Sequence, residues 1–91
     1  MNWTAEQSEQ IQEFGRTQFK VSDVAIVLQI SEMEFLQEME NEQSEAYKAY
    51  WKGRLLGEYE IRKSVMELAN GGSSAAQTLA KQFIDEAKVA D

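Results

Sequence analysis

The chain has 91 residues, a formal net charge of −7 at pH 7, and no cysteine, histidine or proline. Without cysteine and histidine it lacks disulfides, the usual metal ligands and the usual nucleophile and general base, so we expect a small non-catalytic protein with no metal or cofactor. The acidity excludes a main task of neutralising nucleic-acid phosphates, unless a local basic surface or several copies act together.

The beginning of the chain has none of the features of a secretion signal. Residues 1–6 contain no basic charge and no apolar run, and the longest apolar run in the chain is the five residues 24–28. A membrane span needs about 18 apolar residues. We therefore expect no signal peptide, no contact with a membrane and a cytoplasmic location.

Two short helices are predicted first. Residues 4–19 begin with the N-cap Thr4, and Gln7 three residues later completes a capping box, while Gly15 weakens the helix and is a candidate stop. The second helix covers residues 22–29, with Ser22 as its cap. Its β-branched run would favour a strand by propensity alone, but the sequence contains no second strand-like run to pair with it, and a lone strand is not stable.

The third helix begins with a capping box formed by Ser31 and Glu34. Apolar residues occupy one face, and the other face is strongly acidic, with six glutamates and no basic residue between positions 32 and 45. If this face binds a partner, that partner should be basic. We single out four residues as partner-facing: Glu32, Glu34, Gln37 and Glu38.

The fourth and fifth helices are longer and are predicted to form an antiparallel hairpin. The fourth covers residues 44–69, with apolar residues recurring every three or four positions from Tyr47, and ends at the pair Gly71 and Gly72. The fifth starts after Ser73 or Ser74 and runs to residue 89, with small residues at its start that allow close packing.

The fourth helix carries two patterns that admit two interpretations each. Small residues at positions 49, 53 and 57 allow close approach of another helix, either within the chain or from a second copy. Residues 48–63 contain five basic and two acidic residues after a strongly acidic stretch, which favours either pairing within the chain or subunits that meet basic face to acidic face. The candidate oligomer interface is Ala49, Tyr50, Gly53, Gly57 and Ile61.

The second and third helices resemble a helix-turn-helix. The resemblance rests on Val24-Ala25, Leu28, Ile30-Ser31 and Phe35, with Gln29 at the turn position where that family usually has glycine. A wider similarity, over residues 10–85, is to phage proteins of the small terminase type. It rests on Tyr50, Gly53-Arg54, Glu60, Leu68-Ala69, Gly71, Ala76 and Leu79.

The resemblance implies an all-α fold in which a three-helix bundle of helix-turn-helix type over residues 1–43 is followed by a long helical hairpin over residues 44–91. It implies an oligomer that binds viral DNA and delivers it to a large motor subunit in the bacterial host cytoplasm. Glutamates on the predicted recognition helix would repel phosphates. The candidate DNA-binding residues are instead Arg16, Lys20, Lys52 and Arg54.

Two other functions compete with DNA packaging. The first is an acidic helical adaptor or regulator that binds a basic protein and no DNA. The second is a dimeric sequence-specific repressor, which the acidic recognition face disfavours. A closed oligomer of many copies would support the packaging function, whereas a monomer or dimer would support the adaptor.

Overall fold

The computed structural model describes residues 2–90, which contain five helices and no strand. The helices are α1 (Ala5–Arg16), α2 (Val21–Leu28), α3 (Glu32–Glu40), α4 (Glu45–Asn70) and α5 (Ser74–Ala90). The predicted all-α class is confirmed, and the β-branched run of residues 24–28 is helical as predicted. The fold is a helix-turn-helix-like bundle followed by a helical hairpin.

The capping residues predicted from the sequence largely define the helix starts. The Thr4 hydroxyl accepts a hydrogen bond from the Gln7 amide at 3.1 Å, and the Thr4 amide donates to the Gln7 side chain at 2.9 Å, which completes the capping box. The Ser31 hydroxyl likewise caps α3. The prediction that Ser22 caps α2 is wrong, because the helix starts one residue earlier and its N-cap is Lys20, whose side chain makes no capping hydrogen bond.

The chain divides into two units, and the division lies within α4, between Gly57 and Glu58. The sequence predicts one compact unit in which the bundle of residues 1–43 is followed by the hairpin of residues 44–91. The first half of α4 belongs to the first unit because it contributes to that unit's core. The core comprises Ile11, Val24, Ala25, Phe35, Ala46 and Tyr50.

Glycines let α1 and α4 approach backbone to backbone within the first unit. A Cβ atom added to Gly15 would overlap the Tyr50 carbonyl oxygen, and one added to Gly53 would overlap the Gln12 carbonyl oxygen. At Gly57 the overlap would be with the Arg16 carbonyl oxygen. These three glycines are buried. Of the two interpretations of the small-residue stripe, close packing within the chain is therefore the one that the structure shows.

The end of α1 is fixed to α4 by two hydrogen bonds from side chains. The Tyr50 hydroxyl donates to the Phe19 carbonyl at 2.6 Å, and the Gln18 side-chain amide donates to the Arg54 carbonyl at 3.2 Å. Gln18 has a left-handed backbone conformation, with φ of 68°, so the chain turns away from the helix there. As a result α1 ends at Arg16, three residues before the predicted end.

The second unit consists of the C-terminal part of α4 and α5, which run antiparallel. Arg62 pairs with Glu86 at 3.2 Å, and the Gln77 side chain donates to the Ala69 carbonyl at 3.1 Å. The later residue on α4 thus contacts the earlier residue on α5, as in an antiparallel pair. Gly72 takes a left-handed conformation between them, with φ of 102°. Ala76 and Ala80 are buried in this unit, which agrees with the prediction that small residues let the fifth helix pack closely.

Candidate binding surface

The α2–turn–α3 segment has the geometry that its helix-turn-helix pattern predicts. Gln29 ends α2 with φ of 57° and ψ of 42°, the left-handed conformation for which glycine is the usual residue. The Ile30 amide donates to the Ala25 carbonyl at 3.1 Å and closes the turn. Ala25 and Phe35 are fully buried, so the two helices pack against one core. The turn therefore forms without glycine, and the left-handed conformation of Gln29 is less favourable than that of a glycine would be.

The outward side of α3 combines apolar and acidic residues. Met33 and Leu36 are 71% and 43% exposed, and Gln37 and Glu40 are exposed beside them. These residues are spaced as i, i+3, i+4 and i+7, so they share one face of the helix. We call Met33, Leu36, Gln37 and Glu40 the acidic face. Two of the predicted partner-facing residues, Glu32 and Glu34, are also exposed and lie at its edges.

Glu38, also predicted to face a partner, is half-buried and stabilises the connection to α4. The Ser44 hydroxyl donates to its carboxylate at 2.5 Å and accepts a hydrogen bond from the Ala46 amide at 3.2 Å. The hydrogen bond from Ser44 lowers the pKa of Glu38 below its usual value, an effect that desolvation partly opposes. Glu38 is therefore tied to the start of α4 in a way that Glu32 and Glu34 are not.

The charge around the acidic face is of one sign over a long stretch. Residues 21–47 contain seven acidic residues and no lysine or arginine. An α3 with this face toward DNA would bring the carboxylate of Glu40, and those of Glu32 and Glu34 at its edges, near the phosphates, which is unfavourable. A basic surface is the complement that this face fits.

Two of the four candidate DNA-binding residues are engaged within the chain. Arg16 forms an ion pair with Glu13, and its guanidinium lowers the pKa of that carboxyl. Arg54 donates to the Tyr50 hydroxyl at 3.3 Å and lies 5.8 Å from the centre of the Trp51 ring, within cation–π range. Both arginines are half-buried beside the α1–α4 crossing. Both arginines therefore make contacts within the chain.

Lys20 and Lys52, the other two candidates, are exposed. Lys20 is the N-cap of α2, so its charge adds to the positive end of that helix. The first helix of a helix-turn-helix crosses the DNA backbone, and helix N-termini bind phosphates. Lys20 lies directly before α2, whereas Lys52 lies on α4.

Most of the candidate oligomer interface is covered within a single chain. Tyr50, Gly53 and Gly57 are buried against α1, and Ala49 is half-buried. Only Ile61 is well exposed, at 56%. The covered residues offer no surface to a second copy, because α1 occupies the space that close approach to the glycines provides.

A second exposed face lies on the first half of α4, formed by residues that the sequence does not group together. Trp51 and Leu55 are 43% and 62% exposed, and Lys48 and Lys52 are exposed between and beside them. The sequence assigns Trp51 and Leu55 to the same apolar stripe as Tyr50, but only Tyr50 reaches the core. The sequence pattern that could have identified this face is the i, i+3, i+4 and i+7 spacing of four residues: Lys48, Trp51, Lys52 and Leu55. We call these four residues the basic face.

Among the described residues, no group of three or more acidic side chains is arranged to hold a metal ion, and no helix is long and apolar enough to cross a membrane. Comparisons with known protein families, with curated proteins and with solved structures find no match. The surfaces described above are therefore the basis for a functional proposal.

Proposed function

We propose that this chain is a non-catalytic, self-associating DNA-packaging adaptor of the small terminase type, which recruits viral DNA and a large motor subunit. The observation that carries the proposal is the α2–turn–α3 unit. It has the buried Ala25 and Phe35 and the left-handed turn at Gln29 that a helix-turn-helix requires. The resemblance of the chain to small terminase proteins connects that unit to packaging.

The carboxylates on and beside the acidic face disfavour phosphate contact by the centre of α3, so the proposal assigns DNA contact to Lys20 at the start of α2. One lysine per chain gives weak binding, because a single phosphate contact releases only about one counterion from the DNA. Several copies in one assembly add their contacts and raise the affinity without further basic residues. Self-association is therefore part of the proposal.

DNA binding by purified protein tests this function. We expect fluorescence anisotropy to detect binding of a 30-base-pair duplex at 50 mM salt and strong weakening at 200 mM salt. Lys20→Ala should weaken binding and reduce the salt dependence, whereas Lys88→Ala on α5 should change neither. Absence of binding at 50 mM salt by an assembled oligomer would contradict the proposal.

The acidic face favours a second candidate, an adaptor that binds a basic protein and no DNA. Met33 and Leu36 supply apolar contact area on that face, and the surrounding carboxylates supply the attraction to a basic partner. The adaptor predicts a monomer or dimer without DNA affinity. Native mass spectrometry at low micromolar concentration distinguishes the candidates, because the packaging function requires an assembly of many copies.

A further inference from the structure

The acidic face on α3 and the basic face on α4 are matched in size, spacing and apolar content. Each presents two apolar side chains, Met33 and Leu36 on α3 and Trp51 and Leu55 on α4, over two turns of helix. Each also carries two polar residues: Gln37 and Glu40 at i, i+3 on α3, and Lys48 and Lys52 at i, i+4 on α4. Both faces are exposed in the single chain, so neither covers the other.

We propose that the acidic face of one copy docks on the basic face of a second copy. In this arrangement Met33 and Leu36 pack against Trp51 and Leu55, and Glu40, with Glu32 at the edge, pairs with Lys48 and Lys52. The proposal deepens the proposed function, since it rests on self-association and names the surface responsible. It also gives the exposed side of the recognition helix a protein partner instead of DNA bases.

Charge complementarity identifies the occupant as a second copy. The acidic face lies in a stretch of 27 residues without a basic side chain, so it attracts a basic surface. Residues 46–57 contain three basic residues and no acidic one, and the basic face is on that stretch. Two different faces of the same unit are thus complementary to each other and repelled by themselves, which favours head-to-tail contact over two-fold pairing.

Head-to-tail contact leaves one acidic face and one basic face free at the two ends of any open assembly. Each added copy uses one free face and supplies another, so association continues until the ends meet or a filament forms. In a closed ring every copy makes two contacts. Such a ring is more stable than a single contact between two small faces would allow, because the closing contact forms within the same assembly.

Charge reversal of each face, separately and in mixture, tests the proposal. The first variant, Gln37→Lys with Glu40→Lys, makes the α3 face basic; the second, Lys48→Glu with Lys52→Glu, makes the α4 face acidic. All four positions are exposed, and the new charges at positions 37, 40 and 48 suit the helix ends near which they lie, so the fold should persist. Circular dichroism checks this point.

Light scattering after size-exclusion chromatography should show wild-type oligomers at low micromolar concentration. Each variant alone should weaken association by about tenfold or more, because like charges then face each other. An equimolar mixture should recover the wild-type mass, since every contact between unlike variants is again acidic to basic. The control Glu9→Lys with Gln10→Lys makes the same chemical changes on α1 and should associate like the wild type.

Three outcomes would overturn the proposal, and they have different meanings. Wild-type oligomers that both variants leave unchanged would place the interface elsewhere while the packaging function stands. Variants that stay monomeric in the mixture would show that the faces do not meet each other. A monomeric wild type would remove self-association, and with it the proposed function itself; the acidic face would then be tested against a synthetic lysine-rich amphipathic helix.

Discussion

Gly53 is the residue at which a single methyl group should do most damage. Its missing Cβ leaves room for the Gln12 carbonyl, and the Arg16 amide nitrogen would lie only 2.9 Å from an added Cβ. Both obstacles are backbone atoms of α1, so they move only if the helix moves. The closeness of the crossing therefore depends on a glycine rather than on a small residue in general.

We expect Gly53→Ala to lower the free energy of unfolding by about 2–3 kcal/mol, the upper part of the range for overpacked sites. Urea denaturation followed by circular dichroism measures the effect. Gly71→Ala is the matched control, because its Cβ would meet the nearest atoms at an ordinary 3.5 Å. We expect the control to change stability by about 0.5 kcal/mol or less. Equal effects at the two positions would contradict the close crossing.

Gln29 offers a stabilising substitution. A residue other than glycine in the left-handed conformation costs about 1 kcal/mol, and the gain on removing that cost exceeds the entropy lost by adding a glycine. We expect Gln29→Gly to raise the free energy of unfolding by about 0.5 kcal/mol, measured by thermal and urea denaturation. Gln37→Gly, in the middle of exposed α3, should instead lower it by about 1 kcal/mol. A loss of stability for Gln29→Gly would contradict the observed turn.

At the scale of elements, the contact between α3 and α4 should depend on pH through Glu38. Its pKa in the folded state is below the usual value of 4.5, chiefly because Ser44 donates a hydrogen bond to it. A lowered folded pKa means that the contact stabilises the fold above pH 4.5. That stabilisation is lost as the pH falls through the folded pKa.

We expect Ser44→Ala to destabilise the protein by about 1 kcal/mol at pH 7, through loss of the Glu38 contact and of the cap at Ala46. The difference from wild type should narrow as the pH falls below 4.5 and through the folded pKa of Glu38, because the protonated carboxyl no longer favours the contact. A series of denaturation curves from pH 7 into the acid range measures it. Ser64→Ala removes a hydroxyl that bonds only a backbone carbonyl, so its effect should not vary with pH. A pH-independent difference for Ser44→Ala would contradict this role of Glu38.

The elements themselves were largely predictable from local sequence. Thr4, Ser31 and Gly72 carry their structural meaning in the chain itself, because caps and left-handed turns depend on neighbouring residues. The helix against which a stripe of small residues packs cannot be read from local sequence in this way. Positions 53 and 57 indicate close approach, but Gly15, which the sequence presents only as a weak point in α1, lies 35 residues from Tyr50 and meets it through packing alone.

The candidate site was predictable only in part for the same reason. The acidity of α3 is visible in the sequence, as is the helix-turn-helix pattern. The engagement of Arg16 and Arg54 is not, because it depends on Glu13 and on the rings of Tyr50 and Trp51. Nor does the sequence show that Tyr50 is buried while Trp51, the next residue, is exposed; that follows from which side of α4 meets α1.

At the scale of the whole molecule, stability should depend on protein concentration. If a second copy covers the basic face, mass action favours the folded, associated form as concentration rises. We expect the Tm of the wild type to increase between 2 and 200 µM, because a hundredfold rise in partner concentration stabilises the folded, associated form. Differential scanning fluorimetry and calorimetry cover this range.

The variant Gln37→Lys with Glu40→Lys should show a smaller dependence of Tm on concentration than the wild type. Raising the salt from 50 to 500 mM should reduce the dependence for the wild type, because the Debye length falls well below about 10 Å. A wild-type Tm that is constant over the whole concentration range would argue against any stabilising contact between copies.

The α1–α4 crossing also bears on how distant homologues of this chain could be recognised. Charges on α3 and on the exposed side of α4 can change together whenever a new partner or a new pairing of copies is selected. Gly15, Gly53 and Gly57 cannot change without moving a backbone. A search that weights glycine at these three positions, 38 and then 4 residues apart, should therefore find homologues whose surfaces have diverged beyond recognition.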